Sequence, residues 1–223
     1  MRSLTALLVA SLVLAACAGP DTTTTTAAPA TTRAPATTAA PAATAAPTTA
    51  TTLPAPPEGE LEYTFAAGSE VRFIIDEELR GSPFTVVGTN SNLSGTFTVD
   101  TAGPTLLDGG RVVIGAADFV TDSDRRNEAI DRFILQVADH PELLFEIESA
   151  SPAEVTGSLT IRGVTNPVTF GAKLGGDPAS YTFSGSATVD RTLWEIVIPS
   201  VPFVANVSEE VTLEFDFVLE PAG

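Results

Sequence analysis

Residues 211–219 read VTLEFDFVL, and every second side chain in this stretch is large and apolar. Valine, leucine and phenylalanine occupy the odd-numbered positions, whereas Thr212, Glu214 and Asp216 lie between them. Successive side chains of a β-strand point to opposite faces of its sheet. The stretch therefore predicts a strand with one buried face and one face in water.

The same alternation recurs along the chain from residue 61 onwards. It is found near residues 61–65, 71–75, 93–99, 112–116, 143–147, 155–161, 168–172 and 183–189. Nine or ten short strands predict an all-β fold, and alternation alone does not decide between an antiparallel sandwich and a closed barrel. Residues 86–92 contain Gly88 and polar side chains, and we interpret them as a turn.

One stretch has helical periodicity instead. Ser123 and Asp124 suit the N-terminus of a helix. Apolar residues then recur at spacings of three and four, namely Ala129, Ile130, Phe133, Ile134 and Val137. We therefore expect a single α-helix over about 124–138, which ends before Pro141.

Charge and the scarcity of certain residue types limit the possible chemistry. The chain has 223 residues with 11 Lys or Arg and 28 Asp or Glu, which gives a formal net charge of −17. This acidity argues against a nucleic-acid partner, which requires a basic surface. A single cysteine and a single histidine exclude a disulfide framework and a multi-histidine or CxxC metal site. Since no catalytic motif is found either, we predict a protein that is not an enzyme, with no metal and no cofactor.

The N-terminus resembles an export signal. Arg2 precedes an uncharged, mostly apolar stretch at residues 4–16, which is shorter than the roughly 20 residues that span a membrane. Residues 14–17 read LAAC and resemble the bacterial lipobox. We expect residues 1–17 to be a lipoprotein signal peptide and Cys17 to carry the lipid anchor. The exported protein would then be held at the outer face of the cell membrane, in the cell envelope or periplasm.

The export signal is followed by a linker and then by the folded domain. Residues 18–57 are nearly all Thr, Ala and Pro, so they lack the apolar side chains that a core needs, and we expect a disordered linker. In an extended polyproline II conformation, at ~3.1 Å per residue, it would reach on the order of 100 Å. Residues 58–223 form the predicted domain, with nine basic and 27 acidic residues.

Several motifs of this domain resemble those of the YceI-like family. The most specific is TGSLTIRGVTNPV at residues 156–168, which follows the family pattern TGxLTIxGVTxPV in register. Further matches are SEVRF at 69–73, LSGTF at 93–97, HPELLF at 140–145 and EEVTL at 209–213. The resemblance covers about residues 63–219. Two stretches depart from it, because residues 76–78 lack a histidine that many members have and residues 193–195 replace a DFG sequence.

The resemblance implies a fold and a function. The implied fold is a lipocalin-like antiparallel β-barrel with one helix beside it. Family members are exported proteins that bind a long apolar chain, typically a polyisoprenoid, inside the barrel. No catalytic activity is implied.

Candidate binding residues occupy the apolar parity of the predicted strands. Gly95, Gly157 and Gly185 lie there, and they either leave room for a ligand or let the strands bend and close a barrel. The aromatic candidates for the lumen are Phe73, Phe97, Phe145, Phe170 and Phe183. Trp194 and Phe203, in an irregular stretch with two prolines, are candidates for the mouth. Core packing would also explain each aromatic residue.

These observations lead to one functional prediction and one alternative. We predict a membrane-tethered lipoprotein that binds a polyisoprenoid or a similar long apolar lipid in the barrel lumen, for transport, storage or sequestration. The alternative is a non-enzymatic cell-surface protein whose barrel is filled by its own side chains and which binds a protein or cell-wall partner. The two differ in whether the lumen has space for a guest.

Overall fold

The structure is a computed structural model that describes residues 59–223. The predicted signal peptide (1–17), the anchor Cys17 and the linker (18–57) lie outside the described residues. Across residues 59–223, no helix has the length and apolar character needed to cross a membrane.

Strands make up most of the described chain. They are β1 (Glu60–Phe65), β2 (Glu70–Leu79), β3 (Ser82–Asn90), β4 (Leu93–Asp100), β5 (Thr105–Leu106), β6 (Arg111–Gly115), β7 (Glu142–Ala150), β8 (Glu154–Ile161), β9 (Val164–Asp177), β10 (Ser180–Asp190), β11 (Val204–Ala205) and β12 (Glu210–Pro221). The helical segments are a 3₁₀ turn (Ala116–Asp118), α1 (Asp124–Ala129), a π-helical turn (Ile130–Ile134) and a second 3₁₀ turn (Arg191–Trp194).

The strands close into an antiparallel barrel. Eight of them follow one another in the order β1, β4, β6, β7, β8, β9, β10 and β12, and β12 pairs with β1 to complete the ring. Next to β1 along the same edge of β12, β2 continues the pairing, with Ile74 opposite Thr212. The predicted all-β, lipocalin-like antiparallel barrel is therefore confirmed, and the sandwich is excluded.

Alternation places the apolar side chains inside this barrel. On β12, Phe215, Phe217 and Leu219 are buried, whereas Asp216 and Glu220 are exposed. Burying an aliphatic or phenylalanine side chain stabilises the fold by about 1.5–3 kcal/mol. Repeated around eight strands, this burial makes the interior of the barrel the single core of the domain.

The barrel has two ends that differ in what they carry. At the end that we name the terminal end, β1 begins, β12 finishes and the β9–β10 turn lies between Asp177 and Ser180. At the opposite end, named the helix end, lie α1, the β8–β9 turn and the connection 191–205. The tip of the β2–β3 hairpin extends there too, since Val204 pairs with Leu79.

The helical segment is shorter and less regular than expected. The sequence predicts an α-helix over about 124–138, but α1 ends at Ala129 and the π-helical turn ends at Ile134. The backbone N–H of Leu135 donates to Ile130 O over 2.8 Å, and Gln136 then adopts a left-handed φ of 53°, which stops the helix. The wider turn buries Leu135 and leaves Phe133 54% exposed.

Three strands were missed in the sequence, the long β3 and the two-residue strands β5 and β11. Residues 86–90, interpreted as part of a turn, belong to β3, which pairs with β2 along its whole length. Gly88 of β3 lies under the ring of Phe73, where an added Cβ would come within 2.1 Å of Cε1. Gly88, which suggested a turn, is therefore the point where β3 packs closely against an aromatic ring.

Candidate functional site

Aromatic rings fill much of the barrel interior. Seven phenylalanines form a continuous cluster in which neighbouring ring centroids are 4.7 to 6.3 Å apart. They are Phe65, Phe97, Phe145, Phe170, Phe183, Phe215 and Phe217. Most of the pairs are edge-to-face or tilted, which adds to the stabilisation from burial. Four of the lumen candidates, Phe97, Phe145, Phe170 and Phe183, thus pack mainly against one another and against their neighbours.

The three candidate glycines lie where strands or rings approach closely. A Cβ on Gly95 would come within 1.9 Å of Arg111 O, and Gly95 has a φ of 139°. A Cβ on Gly157 would lie 2.2 Å from Glu146 O, beside an irregularity in the β7–β8 register. At Gly185 the ring of Phe215 lies within 2.7 Å of the Cβ position. The space beside these glycines is therefore taken up by backbone and rings, which favours the strand-bending interpretation.

The two candidates for the mouth are in different environments. Trp194 is 1% exposed and its Nε1–H donates to Leu159 O over 2.9 Å, so it belongs to the core beneath the helix end. Phe203 is 73% exposed and lies outside the barrel, beside the tip of the β2–β3 hairpin. The structure does not bring the two side chains together.

Inward-facing residues of one sector at the helix end remain partly accessible. We name this sector the mouth. Its residues lie on β2, β10, β12 and the connection 191–205 that follows β10: Phe73, Ala187, Val189, Ile198 and Leu213. All five are half-buried and pack against the edge of the core. Phe73 is the one lumen candidate among them, and its ring centroid is 5.6 Å from that of Phe119. The other four were not singled out in the sequence, although three of them follow the apolar parity to the ends of their strands.

Arg191 holds the connection 191–205, which follows β10 and ends in β11 beside β2. Its guanidinium donates to Ser208 O over 2.9 Å and to Ile196 O over 2.6 Å. The preceding Asp190 accepts hydrogen bonds from the hydroxyl and backbone N–H of Thr192, and these lower the pKa of Asp190. Asp190 and Arg191 therefore shape the connection beside the mouth.

An ion-pair network fastens α1 to the barrel. Arg126 of α1 donates to Glu77 of β2 over 3.0 Å and also pairs with Asp122. The Glu77 side chain is only 7% exposed, and the ring of Phe84 lies 5.6 Å from the guanidinium. Glu77 falls in the stretch where many family members have a histidine, so an ion pair with the helix occupies that position here.

The carboxylates near the helix do not form a metal site. Burial raises the pKa of Asp131, and the neighbouring charge of Asp118 raises it further. Asp118 itself accepts a hydrogen bond from the Asn92 amide over 2.7 Å. Within residues 59–223, no group of three or more His, Cys, Asp or Glu side chains is placed to hold a metal ion.

The family is decided by a match over the barrel. The YceI-like domain model matches residues 63–219, which is the whole ring of strands apart from the first residues of β1 and the last of β12. The chain belongs to the YceI-like family. No curated protein matches this YceI-like chain significantly.

Solved structures of other proteins share the fold of this chain. The chain is similar to BcnA of Burkholderia cenocepacia, with 22% identity, 68% of this chain and 96% of that chain covered, and a TM-score of 0.56. It is also similar to a polyisoprenoid binding domain from Saccharophagus degradans, with 15% identity, 73% and 99% covered, and a TM-score of 0.56. A Campylobacter jejuni YceI protein has 18% identity, 61% and 84% covered, and a TM-score of 0.53. At these identities the likeness concerns the fold.

Proposed function

We propose that this YceI-like domain binds a long apolar lipid, such as a polyisoprenoid, whose chain enters the barrel at the mouth. The observation that carries the proposal is the contrast inside one core. Tyr63, Tyr181 and Leu219 at the terminal end are 0% exposed, whereas the five apolar residues of the mouth are only partly buried. Apolar surface that the fold itself leaves accessible is what an apolar ligand would cover.

The energetics of such binding need no catalytic chemistry. Each Å² of apolar surface removed from water contributes about 25 cal/mol before the costs of association. The mouth offers aliphatic and aromatic side chains from three strands and no charged side chain. The similar structure from Saccharophagus degradans is a polyisoprenoid binding domain, which also supports this ligand class.

The proposal includes the cellular setting predicted from the sequence. Processing at Cys17 and its acylation would anchor the exported chain at the outer face of the membrane, and the linker 18–57 would separate barrel and anchor. Transport, storage or sequestration of the lipid would follow from a barrel that holds an apolar chain away from water.

A pair of neighbouring substitutions tests the binding site. Ala187 points into the mouth opposite Leu213, whereas the next residue, Thr188, is exposed on the outer face. We expect Ala187→Phe to fill the mouth and reduce the amount of co-purifying apolar molecule severalfold, and Thr188→Phe to leave it unchanged. Organic extraction followed by mass spectrometry measures the bound molecule, and thermal unfolding confirms that both variants fold.

The alternative function makes the opposite prediction. The aromatic cluster that fills much of the interior is the observation in favour of a barrel that binds a protein or cell-wall partner on its outside. Absence of any apolar molecule from the parent chain and from both variants, with no uptake of added polyprenol, would favour this alternative and reject the lipid site.

A further inference from the structure

Exposed aromatic side chains are concentrated at the helix end. Phe203 is 73% exposed and Phe133 is 54% exposed, and each has an arginine guanidinium over its ring, Arg80 at 5.8 Å and Arg132 at 5.5 Å. Acidic residues outnumber basic ones three to one in this domain, with 27 against nine. The pairing of both exposed rings with cations is therefore a specific feature of this end.

The backbone holds Phe203 in its exposed position. Arg80 N–H donates to Phe203 O over 2.7 Å, and the short strand β11 pairs with β2 beside this bond. Phe203 and Arg80 have left-handed φ values of 71° and 54°, which are unfavourable for residues with a side chain. Asn206, with a φ of 49°, donates to Glu78 over 2.7 Å on the other side. The fold thus fixes an apolar ring in water.

From these observations we infer that the helix end docks onto the surface of a phospholipid bilayer, with Phe203 and Phe133 inserted and Arg80 on lipid phosphates, while Arg132 keeps its surface pair with Glu128. An aromatic ring beside a cation suits the membrane interface, because the ring reaches the acyl chains while the guanidinium stays at the level of the phosphates. Such insertion extends about 5–10 Å into the interface. The inference rests on the proposed function, since docking would place the mouth against the lipid that supplies the cargo.

The length of chain outside the structure allows this orientation. Residues 1–58 precede the described domain and join it at the terminal end, opposite the docking surface. The longest strand, β9, has 14 residues and spans about 46 Å at 3.3 Å per residue. The linker alone reaches on the order of 100 Å when extended. A chain anchored at Cys17 can therefore turn its helix end towards the membrane that anchors it.

Tryptophan fluorescence tests the inference on the full chain. Trp194 is the only tryptophan of the sequence and is 1% exposed, so the parent protein provides a shielded reference. The chain, recovered as the cell processes it, is mixed with phosphatidylcholine vesicles that contain brominated acyl chains. We expect Phe203→Trp and Phe133→Trp to be quenched severalfold more than the parent.

Val87→Trp is the matched control. Val87 is 43% exposed on the outer face of β3, five residues and about 15 Å along the strand from the hairpin tip. Equal quenching of Phe203→Trp and Val87→Trp would overturn the inference, because a tethered barrel without a preferred face would give that result. The inference would also be overturned if the protein self-associates in the absence of vesicles and Phe203→Ser abolishes this self-association. The partner of the helix end would then be a second copy of the chain. If Phe203→Trp is not quenched but the protein still co-purifies with an apolar molecule, the docking inference fails and the proposed lipid-binding function stands.

Discussion

The same strand contributes side chains of different accessibility to the two ends of the barrel. On β12, Phe217 is 5% exposed within the aromatic cluster, and four residues earlier Leu213 lies half-exposed at the mouth. Both side chains face inwards, so alternation does not distinguish them. The difference arises because rings from neighbouring strands cover Phe217, while the helix and the 191–205 connection cover only part of the opposite end. The same inward-facing parity therefore includes one buried ring and one partly accessible side chain.

Truncation on this one strand should give the largest contrast. We expect Phe217→Ala to lower the free energy of unfolding by about 3–5 kcal/mol, because a cavity would remain among four neighbouring rings. Leu213→Ala should cost about 1–2 kcal/mol, since its side chain is already partly in contact with water. Urea denaturation measures both values. Equal losses would show that the two ends do not differ in packing.

A smaller effect is expected where the helix is fastened to the barrel. Arg126→Gln removes the charge that compensates Glu77, whose side chain is 7% exposed, and should lower the free energy of unfolding by about 1–3 kcal/mol. Arg132→Gln is the control, because its pair with Glu128 is on the surface and should contribute less than about 0.5 kcal/mol. A neutral Arg126→Gln variant would mean that the ion pair does not hold the helix.

The smallest expected effect concerns pH. The pKa of Asp131 is raised in the folded state, so the folded protein binds more protons than the unfolded chain between the two pKa values. The contribution of this group to stability is present below its unfolded pKa and is lost as the pH rises through its folded pKa. Asp131→Asn should therefore be slightly more stable than the parent at neutral pH and lose this part of the pH dependence. Unfolding at acidic and neutral pH, with exposed Asp139→Asn as control, measures the effect, and an unchanged pH profile would contradict it.

Much of the fold could be predicted because alternation is a local property. Nine of the twelve strands carry their apolar residues at every second position and were found in this way. Of the other three, β5 and β11 have two residues each, too few to show a period, and β3 has Gly88 at an inward position and therefore lacks a full alternating pattern. The helix was located correctly at its start, but the π-helical turn that ends it depends on burying Leu135 against the barrel.

The candidate site was predicted less completely than the fold. Of the residues singled out in the sequence, Phe73 lies at the mouth, whereas Trp194 is in the core and Phe203 is outside the barrel. Partial exposure depends on what covers a strand end, and that cover comes from residues distant in the sequence. For the same reason Ala187 and Leu213 could not be separated from the buried residues on their own strands.

The sequence by itself determined which side chains face inwards on nine of the strands, the motifs shared with the family and the acidic character of the domain, because these follow from residue order and composition. Only the tertiary structure decided that Gly95, Gly157 and Gly185 are sites of close approach, since the atoms that occupy their Cβ space belong to other strands or to rings such as that of Phe215. It also decided which inward-facing residues stay accessible. Occupied and accessible space are properties of packing between strands, and no single strand encodes them.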